Sequence, residues 1–180
     1  MGQWRSRFSA LFLVFILLLP GCFGGSEEEL DSDPFPEFNS TADDNVTYSL
    51  SDFSGNPFIV LFSAEWCDTP CHMTMHAITS ILNDSSMIVM STDPQNNPQG
   101  ITLKDWHDKA DAHDDEDDDE GQTLQIPFMK GVDVSKELEI DARPTIIFVN
   151  GGGHISDIHE GALTNRTMIQ SYWANAGGTI

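Results

Sequence analysis

Apolar residues gather in short unbroken runs separated by polar, helix-spaced stretches. Phe58–Ser63, Met87–Met90 and Ile146–Val149 are near-continuous runs, the signature of strands covered on both faces. Val46–Leu50 is a further candidate strand, followed by the turn Asp52-Phe53-Ser54-Gly55-Asn56. Helical spacing runs from Pro70 to about Leu82, with Thr69 as cap, Pro70 at the first helical position, and Met73, Ala77, Ile78, Ile81 and Leu82 as the apolar face. A second helix is expected around Leu103–Ala112, and a short one over Ser135–Ile140. Ile126-Pro127-Phe128 resumes the fold between them. Asn150-Gly151-Gly152-Gly153 predicts a hairpin into the alternating stretch His154–Glu160. Thr164 or Asn165 then opens a last helix whose Met168, Ile169, Tyr172 and Trp173 face the sheet, ended by Gly177-Gly178.

The first residues stand apart from this pattern. Arg5 and Arg7 precede the apolar run Phe8–Leu19, which is shorter than the roughly 20 residues a spanning helix needs. That layout predicts a secretory signal over residues 1–21. Leu19-Pro20-Gly21-Cys22 resembles a prokaryotic lipobox, which would make Cys22 the lipid-modified first residue of the mature chain; an ordinary signal or a retained anchor is the alternative. Residues 22–45, rich in Gly, Ser, Glu, Asp and Pro, are expected to form an acidic flexible tether, most clearly from Gly24 to Thr41. Residues 46–180 then make one domain.

Charge narrows the partners. The formal net charge is −21, and removal of Arg5 and Arg7 with the signal brings it near −23. Nucleic acid is excluded on that ground, because binding it rests on Lys and Arg neutralising phosphates. Ten acids lie between Asp105 and Glu120, so the stretch near 113–122 is expected to be a solvated acidic loop. It does not fit a helix-loop-helix calcium loop, since Gly121 in the glycine position would call for an acid where Pro127 stands.

Trp66-Cys67-Asp68-Thr69-Pro70-Cys71 carries the chemistry. The cysteines follow a buried strand and open a helix, where unpaired N–H groups and the positive dipole end favour a thiolate. A purely structural staple would close a very short loop, where cross-linking stabilises least. A redox pair or a metal site is the expectation.

Three pieces, in order, resemble the thioredoxin superfamily: Phe62-Ser63-Ala64-Glu65-Trp66-Cys67 with Cys71 behind it, Arg143-Pro144-Thr145 before a buried strand, and the glycine hairpin closing on Glu160-Gly161. Ser49-Leu50-Ser51-Asp52-Phe53-Ser54-Gly55-Asn56 and Ser91-Thr92-Asp93 are similar to the membrane-tethered, extracytoplasmic TlpA and ResA branch. The resemblance implies an α/β thioredoxin fold with a mixed central β-sheet flanked by helices. It implies thiol-disulfide exchange with client proteins, with Cys67 as nucleophile, Cys71 as the buried resolving thiol, and Pro144 as a cis proline whose loop, with Thr145, meets the client. No cofactor or metal is implied. The expected partners are client thiols or disulfides, a membrane or extracytoplasmic electron donor, and the membrane itself through lipid on Cys22. The outer face of a prokaryotic cytoplasmic membrane is the expected location.

Departures from the family leave alternatives. The cysteines are separated by three residues rather than two, although a rise of about 6 Å from i to i+4 still permits a bridge. Leu61 stands where many relatives place a buried acid, and Glu65 is either a proton acceptor for Cys71 or a surface glutamate. Arg143 either favours the Cys67 thiolate or pairs with Asp141 on the surface. Trp66 either packs beside the pair or is a core aromatic. Cys-x-x-x-Cys is also the spacing of Sco-type copper chaperones, with Met73, Met75, His72 and His76 just downstream. Pro144 stands where their ligand histidine would be, and His154 and His159 lie beyond it. Met73 is expected in the core, and His72 and His76 on an exposed face.

Overall fold

The computed structural model describes residues 32–94, 101–113 and 124–180. The signal segment, Cys22, the first part of the tether (residues 22–31) and most of the acidic loop lie outside the described residues. In chain order the elements are β1 (Asn39–Thr41), β2 (Thr47–Ser49), a 3-10 turn (Leu50–Phe53), β3 (Phe58–Ser63), α1 (Thr69–Ile81), β4 (Ser86–Ser91), α2 (Leu103–Asp111), β5 (Phe128–Lys130), α3 (Val132–Glu137), β6 (Thr145–Val149), β7 (Ile155–Glu160) and α4 (Arg166–Asn175).

Five strands form a mixed sheet in the order β5-β4-β3-β6-β7. β3 runs parallel to β4 and β4 to β5, whereas β6 is antiparallel to both β3 and β7. This is the α/β architecture expected from the sequence, and β3 shows why its run is unbroken. Ile59 and Leu61 enter a core shared with Met75 and Ile78 of α1, Trp106 of α2 and Ile169 and Trp173 of α4. Phe58, Val60 and Phe62 enter a second core with Met90, Ile147 and Val134 of α3.

That second core overturns part of the tether. Phe35 and Phe38 are buried in it, and β1 pairs with β2, so residues 32–45 belong to the packed unit. The segment crosses the sheet from edge to edge: Phe35 N donates to Gly153 O and Ile155 N to Asp33 O beside β7, while Asp43 N donates to Phe128 O beside β5. Two phenylalanines stand among acids and prolines, yet together with Val134 of α3 they cover an apolar sheet face.

Other boundaries move for local reasons. Thr69 is the first helical residue, Pro70 the second, and Asp68 holds the cap position without a side-chain hydrogen bond to the helix N–H groups, so Thr69 is not the cap. The short helix spans Val132–Glu137, starting behind Gly131 and ended by Glu139 at φ +53°, earlier than Ser135–Ile140. Asn165 caps α4 through its side chain on Met168 N, and Met168 itself is exposed rather than facing the sheet. The inner stripe of α1 is Cys71, Met75, Ile78 and Leu82, while Met73 points outward at 46% exposure, so the core methionine is Met75. His72 and His76 are buried as well, against the expected exposed face. A second stripe of the helix packs on α2, where His76 Nε2 lies 2.8 Å from Ala110 O and the His72 ring meets His113 edge-on. Among the described residues no helix is long and apolar enough to cross a membrane.

Candidate functional site

β3 ends at Ser63, and the chain turns back through a Cys67 N to Ala64 O bond of 2.9 Å before α1 begins. This places Cys67 at the sheet's carboxyl edge, just ahead of the helix start. Cys71 lies one turn into the helix, on the stripe that faces the sheet. The two sulfurs are bonded, with Cα atoms 5.9 Å apart. The three-residue spacing therefore accommodates a bridge from the turn ahead of α1 to the helix's first turn. Cys71 is wholly buried and Cys67 is 5% exposed, while the preceding Trp66 is 57% exposed. Trp66 is thus a surface aromatic beside the pair, not a core residue.

Glu65 is the reverse case. Its side chain is fully buried, which overturns the surface reading, and its Oε1 takes a hydrogen bond and ion pair from Lys130 Nζ. Ser91 Oγ donates to the same oxygen at 3.3 Å, and Asp93 Oδ2 accepts from the Glu65 backbone N–H at 2.9 Å. Among the described residues Glu65 Oε2 has no hydrogen-bond partner. Parallel pairing of β4 with β5 sets Ser91 opposite Lys130, which is how one short edge strand delivers an ammonium to a carboxylate two residues from Cys67. Sequence reasoning missed Lys130 and the roles of Ser91 and Asp93. The lone lysine in an apolar tripeptide, Phe128-Met129-Lys130, was the available signal.

The Arg143–Pro144 bond is cis, and Pro144 is buried. Antiparallel pairing of Thr145 with Phe62 brings this loop to the same edge of the sheet as the cysteines. Thr145 is buried, and its hydroxyl donates to Ala142 O at 3.0 Å, so it braces the loop. Pro144 O accepts from Gly161 N, whereas neither the N–H nor the C=O of Arg143 has a backbone partner among the described residues. The Arg143 guanidinium donates through Nε to Thr92 Oγ1 and through one terminal nitrogen to the backbone oxygen of Asp141, both at 2.9 Å. Of the two alternatives for Arg143, the pairing with Asp141 is made only to its carbonyl, not its carboxylate.

On the opposite flank, Lys109 Nζ sits 3.0 Å from the Asp68 carboxylate and holds it below the usual carboxylate range. His72 Nδ1 lies 3.6 Å from the same carboxylate, but burial dominates and pushes its pKa down to about 4. Among the described residues no three His, Cys, Asp or Glu side chains converge as a metal site. The histidines weighed as copper ligands are used elsewhere: His154 faces Ser32 O at the far end of β7, and His159 packs on Tyr172.

No family model and no curated protein matches the chain. Solved structures do. A thio-disulfide isomerase from Thermus thermophilus superposes with a TM-score of 0.64 at 14% identity, covering 83% of this chain and 98% of its own. The exposed lipoprotein thioredoxin of Streptococcus pneumoniae gives 0.57 at 17% identity, covering 77% and 99%. BsSco, a member of the Sco family of cytochrome c oxidase assembly proteins with an identified disulfide switch, gives 0.60 at 18% identity, covering 81% and 94%. The resemblance extends over nearly the whole length of each relative, and with the strand order and the disulfide at the start of α1 it shows that the chain has the thioredoxin fold.

Proposed function

We propose that the chain is an extracytoplasmic thiol-disulfide oxidoreductase that exchanges disulfides with protein clients through Cys67 and Cys71. The observation that carries this reading is the position of the bridge. It lies at the mouth of α1, with Cys67 on the outer side beside exposed Trp66 and Cys71 sealed behind it. A structural cross-link has no need of that polarity, since the domain already holds two apolar cores.

In the reducing direction, the Cys67 thiolate attacks a client disulfide, forming one sulfur–sulfur bond as the client's breaks, and the departing client thiolate takes a proton. Cys71 then gives up its proton and attacks the Cys67 sulfur. The second client thiolate leaves, and two electrons have passed from the dithiol to the client. The helix-start N–H groups and dipole stabilise the attacking thiolate at Cys67. Glu65 is the acceptor for the Cys71 proton, a role supported by its buried and unpartnered Oε2. The unpaired backbone of Arg143 offers an extended client one donor and one acceptor. An electron donor outside the cytoplasm would reset the pair.

The placement outside the cytoplasm rests on the signal-like residues 1–21 and the lipobox-like Leu19-Pro20-Gly21-Cys22, with lipid on Cys22 holding the chain at the outer face of the cytoplasmic membrane. A likeness to proteins described as an exposed lipoprotein and as thiol-disulfide isomerases supports the same assignment.

The test is a trapping experiment on the reduced chain. Cys71→Ser is expected to accumulate a mixed disulfide with a peptide disulfide, visible as added mass that dithiothreitol removes, and Cys67→Ser is expected to accumulate none. Turnover by Cys67→Ser at the unaltered rate would overturn the assignment. Equilibration with glutathione then fixes the direction, a potential below the glutathione couple marking a reductase.

A further inference from the structure

Arg143 stands out in a chain this acidic. Of the five cations between Lys104 and Arg143, four sit on carboxylates: Lys104 on Asp108, Lys109 on Asp68, Lys130 on Glu65, and Lys136 near Asp133. The Arg143 guanidinium instead donates only to two neutral oxygens, a hydroxyl and a backbone carbonyl. Those bonds fix the group in place without neutralising it, and they leave N–H donors of its planar fork unused.

Its surroundings make this a site. Arg143 lines a cavity of about 540 Å³ together with Thr92, Lys136, Glu139, Ile140 and Asp141. The same residue supplies the unpaired backbone N–H and C=O next to Pro144, so whatever pairs with that backbone lies beside the cavity. A fixed, half-buried guanidinium with free donors is suited to a carboxylate, which it can hold through charge-assisted bonds. Glu139 and Asp141, also on the lining, repel further negative charge. They restrict the ligand to a single carboxylate and reject an acidic run.

We propose that Arg143 and this cavity form a carboxylate-binding subsite that selects disulfides with one acidic group next to the reacting cysteine. The proposal rests on the thiol-disulfide reading above and names its substrate class. The carboxylate has two sources, an acidic residue flanking the cysteine of a protein client or the carboxylates of a small acidic thiol.

The experiment uses the reduced full chain and measures kcat/KM for four oxidised probes. Three are symmetric peptide disulfides with Glu-Cys-Gln, Gln-Cys-Glu or Gln-Cys-Gln at the centre, and the fourth is glutathione disulfide. One of the single-glutamate peptides is expected to react about tenfold faster than the all-glutamine peptide, the size of one charge-assisted hydrogen bond made in the transition state. Arg143→Gln is expected to bring that ratio to one, and Arg143→Lys to keep part of it, because lysine retains the charge and loses the fork. The ratio isolates recognition, since any change in Cys67 reactivity or in folded fraction acts on all peptides alike. A preference for glutathione disulfide alone, lost in Arg143→Gln, would assign the subsite to a small acidic thiol. Equal rates for all peptides and glutathione, or a preference that survives Arg143→Gln, would overturn the subsite and leave the exchange activity standing. No exchange with any probe would overturn both.

Discussion

The Glu65 carboxylate and the Lys130 ammonium form an ion pair inside the domain, two residues before Cys67 in sequence and joined across β4 by Ser91. Glu65 has no exposed side-chain surface and Lys130 retains 19%. Neither ion can be left alone at small cost. Lys130→Met strands a buried carboxylate and is expected to destabilise the fold by about 3 kcal/mol, read as a lower urea midpoint. The double variant Glu65→Gln/Lys130→Met removes both charges and is expected to recover most of that loss. Equal destabilisation in the single and double variants would show that the charge itself is not what matters.

We propose that Arg143 also bears on the reactivity of Cys67. Its positive charge is fixed by Thr92 at the edge of the sheet where the cysteines lie, and a nearby cation favours a thiolate. In the reduced protein, Arg143→Ala is expected to shift the onset of iodoacetamide alkylation at Cys67 to higher pH. Iodoacetamide is neutral, so the comparison is free of any attraction between reagent and arginine. Coincident alkylation curves would remove Arg143 from the electrostatics of the thiol.

Strands β3, β4 and β6 were legible because a strand buried on both faces must be apolar at every position, a pattern that needs no partner to be recognised. The cysteine pair and Pro144 were legible from their order along the chain. α1 was harder, since it carries two covered stripes. Cys71, Met75, Ile78 and Leu82 face the sheet, and His72 and His76 face α2. Spacing alone does not say which methionine points inward or that a second helix will cover the histidines. Lys130 and the packed segment around Phe35 and Phe38 were illegible for one shared reason. Their partners, Glu65 and the far face of the sheet, come from distant parts of the chain, so no local window contains the cause of their burial.

The segment that crosses the sheet is locked at its far end by His107 and Asp43. His107 Nδ1 lies 2.6 Å from Asp43 Oδ2, its Nε2 lies 2.7 Å from Leu124 O, and the ring stacks on Phe128 at 4.3 Å. The ring is thus held between a carboxylate and a backbone carbonyl. Asp43 Oδ1 also accepts from Phe128 N. Asp43→Ala therefore leaves a histidine and a backbone N–H without their acceptor and is expected to cost about 2 kcal/mol in urea unfolding. Hydrogen exchange at Phe128 is expected to speed up in the same variant, and an unaltered rate there would show that Asp43 does not hold β5.

His72 sets a pH limit on the fold. Burial lowers its pKa from 6.5 to about 4; the Asp68 carboxylate opposes that shift, and His113, Lys109 and His76 add to it. Above pH 6.5 the imidazole is neutral in both folded and unfolded chains, and its contribution to stability is complete. Between pH 6.5 and 4 the unfolded chain takes up a proton that the folded chain refuses, so stability falls as pH falls. Below about pH 4 both forms are protonated and the loss, roughly 3 kcal/mol for a shift of this size, is complete. The exposed carboxyls Asp52, Asp68 and Asp105 are all held below 3.8 by hydrogen bonds, so their share is lost only at still lower pH. Urea midpoints at pH 7, 5.5 and 4 are expected to fall for the unaltered chain. In His72→Gln, which cannot titrate, the decline is expected to be shallower by the His72 share. Parallel curves for the two proteins would assign the acid sensitivity to another group.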